Sequence, residues 1–236
     1  MLIKNPLHEV TLIRRYKRFL ADVRFPTGEI ITVHCPNSGS MRGCANEGAR
    51  AWVSDSENAK RKLRFTLEFI EVEKALICVN TQRPNGLVEE SITNHKIPEL
   101  DGYEDLRREV RYGVENSRID ILLTGQQGRC FVEVKNVTMK AMDKLAAFPD
   151  AVTTRGTKHI RELMQVVADG HRGVLVFCVG RTDAEAMKPA DDIDPVYGQT
   201  LRAAYRSGVE ILAYRCSFDL PSLTLETRIP FLLDDA

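Results

Sequence analysis

What this sequence has little of is informative. No apolar run approaches 18 residues, so no membrane-spanning helix is expected. The opening "MLIKNPLHEVTLIRRYKRF" has neither an uninterrupted apolar core nor a small-residue cleavage site, so it does not read as a secretory signal. A cytoplasmic protein is the expectation. Net charge is absent too, with 33 Lys and Arg against 33 Asp and Glu. That balance argues mildly against tight non-specific binding to a duplex. Aromatics make up 7%, with Trp52 the single tryptophan, which reads as core rather than a stacking platform. The six cysteines form no C-x-x-C pair, and three lie inside apolar runs ("ALICVN", "RCFVEV", "VLVFCVG"). They read as reduced, mostly buried thiols. His34, Cys35 and Cys44 fit no common zinc spacing.

What is present is an ordinary globular composition, 43% hydrophobic and 28% charged over 236 residues, long enough for one large domain or two small ones. Charge is unevenly spread. Residues 1–80 hold 13 Lys/Arg against 9 Asp/Glu, and residues 81–236 hold 20 against 24. This permits a nucleic-acid-binding front end. Short alternating stretches with turns about every ten residues predict a small β-barrel in the first third. "TQRPNG" (Thr81 to Gly86) is a strong break and the candidate domain boundary. Beyond it come a short helix ending before Pro98, the strand "LRREVRYG", a hairpin, a helix over about Thr157–Ala168, a buried strand "GVLVFCVG", a helix over Pro195–Arg206 with Asp194 as N-cap, and a further strand. Residues 83–236 therefore read as a mixed sheet with helices packed on it.

The hairpin "SRIDILLTGQQGRCFVEVKN" carries the chemistry. A turn centred on Gln126 and Gln127 sets Asp120 opposite Glu133, Ile121 opposite Val132 and Leu122 opposite Phe131. Ile119, Ile121, Val132 and Val134 then form a core face, and Arg118, Asp120, Glu133 and Lys135 form the other. Like charges directly opposite are destabilising unless something positive lies between them. Asp120 and Glu133 could hold a divalent metal, Mg2+ or Mn2+, which takes carboxylates, water and substrate phosphate as ligands. Lys135, two residues on, could orient water or stabilise charge on a phosphate. Glu115 could add a third carboxylate or a base. The competing reading is a solvated strand face, and spacing alone does not separate the two.

Other segments suit nucleic acid. "IRRYKRF" sets Arg14, Arg15, Lys17 and Arg18 around Tyr16 and Phe19, as single-strand binders combine cations with aromatic platforms; a charged strand entry over core aromatics fits equally. "PNSGSMRG", with Asn37, Ser38, Ser40 and Arg42, could turn backbone N–H groups outward as an anion nest, or simply connect two strands. Arg155, Lys158 and His159 lie on or beside the polar side of the helix after the hairpin. There His159 is as readily structural as catalytic.

The stretches "RRYKRFLADV", "HCPNSGSMRGC", "SRIDILL", "CFVEVKNVT" and "FPDAVTTRGTKHIREL" resemble the SfsA (sugar fermentation stimulation protein A) family over nearly the whole chain. That resemblance implies an N-terminal oligonucleotide-binding (OB) barrel over residues 1–82, then a restriction-endonuclease-like PD-(D/E)XK domain over residues 83–236. The fold class is thus α+β or α/β. The family also implies nucleic-acid binding, DNA before RNA, an inferred nuclease role, and a link to sugar (chiefly maltose) utilisation. Its nuclease motif carries over as Asp120, Glu133 and Lys135, with Glu115 as the upstream acid and Gln165 as a supporting helix residue. "RID" stands where the usual "PD" would precede the first acid. The rival reading is a non-catalytic DNA-binding regulator of sugar metabolism. A carbohydrate-acting enzyme lacks paired carboxylates in a sugar-cleft context. Oligomeric state is open, and a homo-oligomer is compatible.

Overall fold

A computed structural model describes residues 1–113 and 117–233. Its first third is β1 (Leu7–Tyr16), β2 (Leu20–Arg24), β3 (Ile30–His34), β4 (Arg50–Asp55), β5 (Phe65–Val72) and β6 (Ala75–Cys78). They form one sheet in the order β3-β2-β1-β4-β5-β6, which curls until His34 of β3 meets Thr66 of β5. Gly28, at a φ of 90°, makes the β2–β3 turn, a conformation that costs a residue with a Cβ. Leu12, Val23, Val33, Val53, Leu67 and Ile77 fill the interior.

Helix α1 (Pro84–Thr93) follows, with Pro84 in its first turn, where a missing N–H costs nothing. Then come β7 (Asp105–Tyr112), β8 (Ser117–Gly125), β9 (Gly128–Val137), β10 (Met139–Met142), β11 (Leu145–Phe148), α2 (Thr154–Ala168), β12 (Arg172–Val179), β13 (Ala186–Pro189), α3 (Pro195–Arg206), β14 (Glu210–Asp219) and β15 (Ser222–Arg228). The second large sheet runs β15-β14-β12-β9-β8-β7, with β12 parallel to both β9 and β14 and the other pairs antiparallel. It is the mixed sheet that the sequence predicts. β10, β11 and β13 make a small separate sheet that the sequence reading does not foresee.

Helices α2 and α3 cover one face of the large sheet through Ile160, Leu163, Leu201 and Ala204. The other face packs against α1 and the first sheet, where Phe69 and Cys78 join Leu87, Val132, Val176 and Leu212 in one core. β5 is therefore buried on both sides, although its sequence alternates. Strand-level contacts tie the halves together. Cys78 N–H donates to Gly180 O at 2.7 Å, Thr182 N–H to Leu76 O at 3.2 Å, and Ile3 N–H to Pro221 O at 3.0 Å. The fully buried Glu68 accepts from Arg83 at 2.5 and 3.0 Å, from Asn80 at 2.8 Å and from Ser54 at 2.7 Å.

The Asp194 cap stands, its carboxylate accepting from Tyr197 N–H at 3.0 Å. α2 starts three residues before the predicted Thr157, because the Thr153 hydroxyl caps it by accepting from Gly156 N–H at 3.0 Å. All six cysteines are free and buried. Among the described residues, no helix is long and apolar enough to cross a membrane.

Candidate functional site

The β8–β9 ladder begins as the sequence predicts, with Ile121↔Val132, Leu122↔Phe131 and Leu123↔Cys130 in register. It stops at Ile121. Beyond that point β8 stays with β7, pairing Ile119 with Val110 and Ser117 with Tyr112, while β9 follows β12, pairing Glu133 with Leu175 and Lys135 with Phe177. The strands fork, so the expected Asp120–Glu133, Ile119–Val134 and Arg118–Lys135 pairs are not made, and the two carboxylates do not face each other across a ladder. Ile119 packs in the core beneath α2, on the opposite side from Ile121 and Val132, which corrects the single core face inferred from alternation.

Asp120 sits in the fork. One carboxylate oxygen accepts from Val134 N–H at 2.7 Å and takes over the role of a ladder carbonyl. The other accepts from the Asn85 amide at 2.8 Å. Asn85 comes from the first turn of α1, 35 residues earlier, and nothing in the local sequence pattern points to it. Glu133 is 2% exposed. Its Oε1 accepts from Lys135 Nζ at 2.6 Å and from His159 Nδ1 of α2. Its Oε2 is buried without a hydrogen-bond partner among the described residues. Arg155 Nε donates to His159 Nε2 at 3.4 Å. That assigns the imidazole proton to Nδ1, directed at Glu133.

The electrostatics follow from burial. Removal from water, and then the neighbouring Glu133 charge, push the Asp120 carboxyl up to about 6. Burial raises Glu133 in the same way, but the Lys135 ammonium and the His159 hydrogen bond outweigh it and hold Glu133 below the ordinary carboxylate range. The two acids are thus driven apart in proton affinity, a pattern typical of functional sites.

These groups line an open cavity of about 570 Å³, together with Glu109, Ser117, Arg118, Val134, Phe148, Thr153, Arg155, Gly156 and Lys158. The N-terminus of α2 borders it, so the positive end of the helix dipole adds to Arg118, Arg155 and Lys158. Of the sequence candidates, Asp120, Glu133, Lys135, Arg155, Lys158 and His159 come together here. Glu115 lies outside the described residues. Gln165 is not among the lining residues; it is on the exposed side of α2 and bonds Asp169 at 2.8 Å. Glu162 of α2 is a further buried acid, 6% exposed, whose carboxylate oxygens have no hydrogen-bond partner among the described residues; it is not among the lining residues of the cavity.

The candidates from the first third of the chain stand apart from that cavity. Arg14 pairs with Asp22 at 2.8 Å. Arg15 donates to the carbonyls of Arg18, Asn37 and Gly39 at 2.8–3.0 Å and to Ser40 O at 3.4 Å, and Arg18 donates to Ser38 O at 3.3 Å. Both arginines organise the loop. Lys17, Ser38 and Arg42 are exposed, and Asn37 is buried, its side chain accepting from Gly39 N–H at 2.8 Å. The anion nest read from "PNSGSMRG" already holds an anion of the chain itself. Asp150 Oδ2 accepts from Met41 N–H at 3.1 Å and from the Ser40 hydroxyl at 3.2 Å.

Fold and site together define a two-domain protein, a curled β-domain closed against a mixed-sheet domain with a forked carboxylate–lysine cluster. Residues 13–79 match the model of the SfsA N-terminal OB domain, and residues 82–222 match that of the sugar fermentation stimulation protein RE domain. The chain is 52% identical over 233 residues to a sugar fermentation stimulation protein homolog of Geobacter metallireducens, covering 99% of this chain and 100% of that protein. It is 56% identical over 213 residues to one of Thioalkalivibrio sulfidiphilus, covering 90% of each. The solved structure of Pyrococcus furiosus SfsA in complex with Ca2+ matches with a TM-score of 0.88 at 27% identity, over 98% of both chains. The chain belongs to the sugar fermentation stimulation protein (SfsA) family.

Proposed function

We propose that this protein binds nucleic acid and hydrolyses phosphodiester bonds with Mg2+ or Mn2+, its residues 83–236 acting as a PD-(D/E)XK nuclease and its residues 1–82 as the capturing OB domain. The observation that carries this reading is the fork that gathers Asp120, Glu133 and Lys135. Burying two carboxylates together costs stability, and a cation between them would offset that cost.

The residues present fit such an ion. Glu133 has an orphaned buried oxygen, and Asp120 is held in its less favoured charged form only at a penalty. Among the described residues no third His, Cys, Asp or Glu completes a cage. Asp120 and Glu133 would therefore hold the ion while water and substrate phosphate supply its remaining oxygens, as Mg2+ commonly requires. The solved Pyrococcus furiosus relative carries Ca2+, another oxygen-seeking cation. When bound, the metal supplies an acidified water and positive charge at the phosphate.

The chain's own residues do the rest. Lys135 places an ammonium beside Glu133, where it stabilises charge developing on the phosphate oxygens. His159 fixes the orientation of Glu133, and Asn85 with Val134 N–H fixes that of Asp120. Arg155 and the start of α2 attract flanking phosphates. The test is incubation with labelled single- and double-stranded DNA and RNA in Mg2+, Mn2+ or EDTA. Cleavage that EDTA abolishes is expected. The second reading, a binding regulator, draws on one observation: Glu133 Oε1 already has the Lys135 ammonium and the His159 N–H as partners. A preparation that binds strands and cuts none with either metal selects it.

A further inference from the structure

A second cavity, of about 240 Å³, lies where the loop Pro36–Gly43 meets the second domain. Asn37, Ser38, Thr81, Asn136, Phe148 and Asp150 are in its wall. Phe148 also lines the carboxylate cavity, so the two adjoin, and Asn136 directly follows Lys135.

Its chemistry differs sharply from its neighbour's. Among the described residues no lysine or arginine lines it, and one carboxylate stands among amides and hydroxyls. A phosphate would be repelled there. Two acceptors there can take a donor. Asp150 spends Oδ2 on the loop, while Oδ1 accepts no hydrogen bond among the described residues. Asn136 Oδ1 is buried and has no hydrogen-bond partner among the described residues. Phe148, set edge-on to Phe177 and Tyr197, provides an apolar wall. The volume is below the ~300–1,000 Å³ of pockets for drug-sized ligands, which suits one flat ring system rather than a disaccharide.

We propose that this cavity receives one unstacked nucleobase bearing an exocyclic amino group, from the nucleotide next to the phosphate at Asp120 and Glu133. The inference rests on the nuclease reading and adds the substrate class. A base seated between Phe148 and Asp150 has left any duplex, because its amino group now serves the carboxylate instead of a pairing partner. The substrate is therefore single-stranded nucleic acid, or a strand whose base is extruded. Carboxylates accept from cytosine N4 in this way elsewhere. A thymine or uracil offers no amino group.

The experiment measures anisotropy of short labelled single strands in EDTA, where no cutting occurs. Strands of dC, of dA, of dT and of dC with abasic positions are compared. Roughly tenfold tighter binding of dC and dA than of dT or abasic strands is expected. Asp150→Asn should bring dC to the level of dT and leave dT unchanged. Asn136→Ala, which has no hydrogen bond of that oxygen to lose, should reduce the same preference. Equal affinity for intact and abasic strands overturns the proposal, as does a preference that survives both variants, or displacement of dC by maltose. Cleavage of the same strands in Mn2+ is followed in parallel. Cutting without base preference removes the base site and leaves the nuclease; base preference without cutting removes the nuclease and leaves the base site.

Discussion

Replacing Asp120 with Asn should make the metal-free protein more stable at neutral pH. Burial, and then Glu133, raise this carboxyl from its ordinary 3.8 to about 6. The folded state therefore holds the proton more tightly than the unfolded chain does. The sign follows: stability is highest below the unfolded value and falls as pH rises from about 4 to about 6, and above that the full penalty remains. At ~1.36 kcal/mol for each pH unit the penalty is at most about 3 kcal/mol, and partial solvent access leaves about 1–3 kcal/mol. The amide keeps the shape of the carboxylate. Its carbonyl still accepts from Val134 N–H, and the Asn85 amide turns to present its oxygen to the new amino group. Urea unfolding in EDTA at pH 8 should show the variant ahead by that margin, and at pH 3.5 the gap should close. Adding Mg2+ at about 100 times its dissociation constant should return about 2.7 kcal/mol to the natural protein and much less to the variant. An Asp120→Asn variant that is less stable than the natural protein at pH 8, by an amount independent of pH, would refute the reasoning.

Two further substitutions separate roles. Lys135→Ala should cut turnover about a hundredfold or more while strand affinity persists; it should also cost stability, since Glu133 then keeps only His159, and thermal unfolding beside cleavage rates checks both. Arg15→Ala should loosen the loop Pro36–Gly43 and raise its amide exchange with little change in the salt dependence of binding, because Arg15 is committed to loop carbonyls; a slope flatter by about 0.7 would mean that it contacts a phosphate.

Local rules in the sequence carry through to the structure where neighbours in space are neighbours in the chain. The Pro195–Arg206 helix with its Asp194 cap needs only adjacent residues, and the Ile121–Val132 register needs only a tight turn. Alternation fails at Ile119 because the ladder forks there, and a fork depends on β12 drawing β9 away. Alternation in β5 gives no sign that its outer side is covered by a second domain. Arg15 reads as a free cation because the carbonyls that absorb it return more than 20 residues later. The four-residue β10, β11 and β13 are too short to show a period. The gathering of Asp120, Glu133 and Lys135 follows from the hairpin that joins β8 to β9, although the direct Asp120–Glu133 pairing read from alternation does not form; Asn85 reaches Asp120 only through tertiary packing.

That packing makes the site a property of both domains. Asp120 is oriented by Asn85, Asn85 is placed by α1, and α1 is anchored at its start by Arg83 on Glu68 of β5. Glu68 is 1% exposed at its side chain and Arg83 24%, so removing the charge of Glu68 strands a half-buried guanidinium. Glu68→Gln should cost about 3 kcal/mol or more. If the chain of contacts transmits to the site, the variant should also bind Mn2+ more weakly, measured by calorimetry at a temperature where it remains folded. Asn85→Ala should weaken Mn2+ binding by itself. Because both act on the same carboxylate, the double variant should fall short of the sum of the two single effects. Loss of stability in Glu68→Gln with unchanged Mn2+ affinity would show that the first domain supports the fold of the second without setting its acid in place.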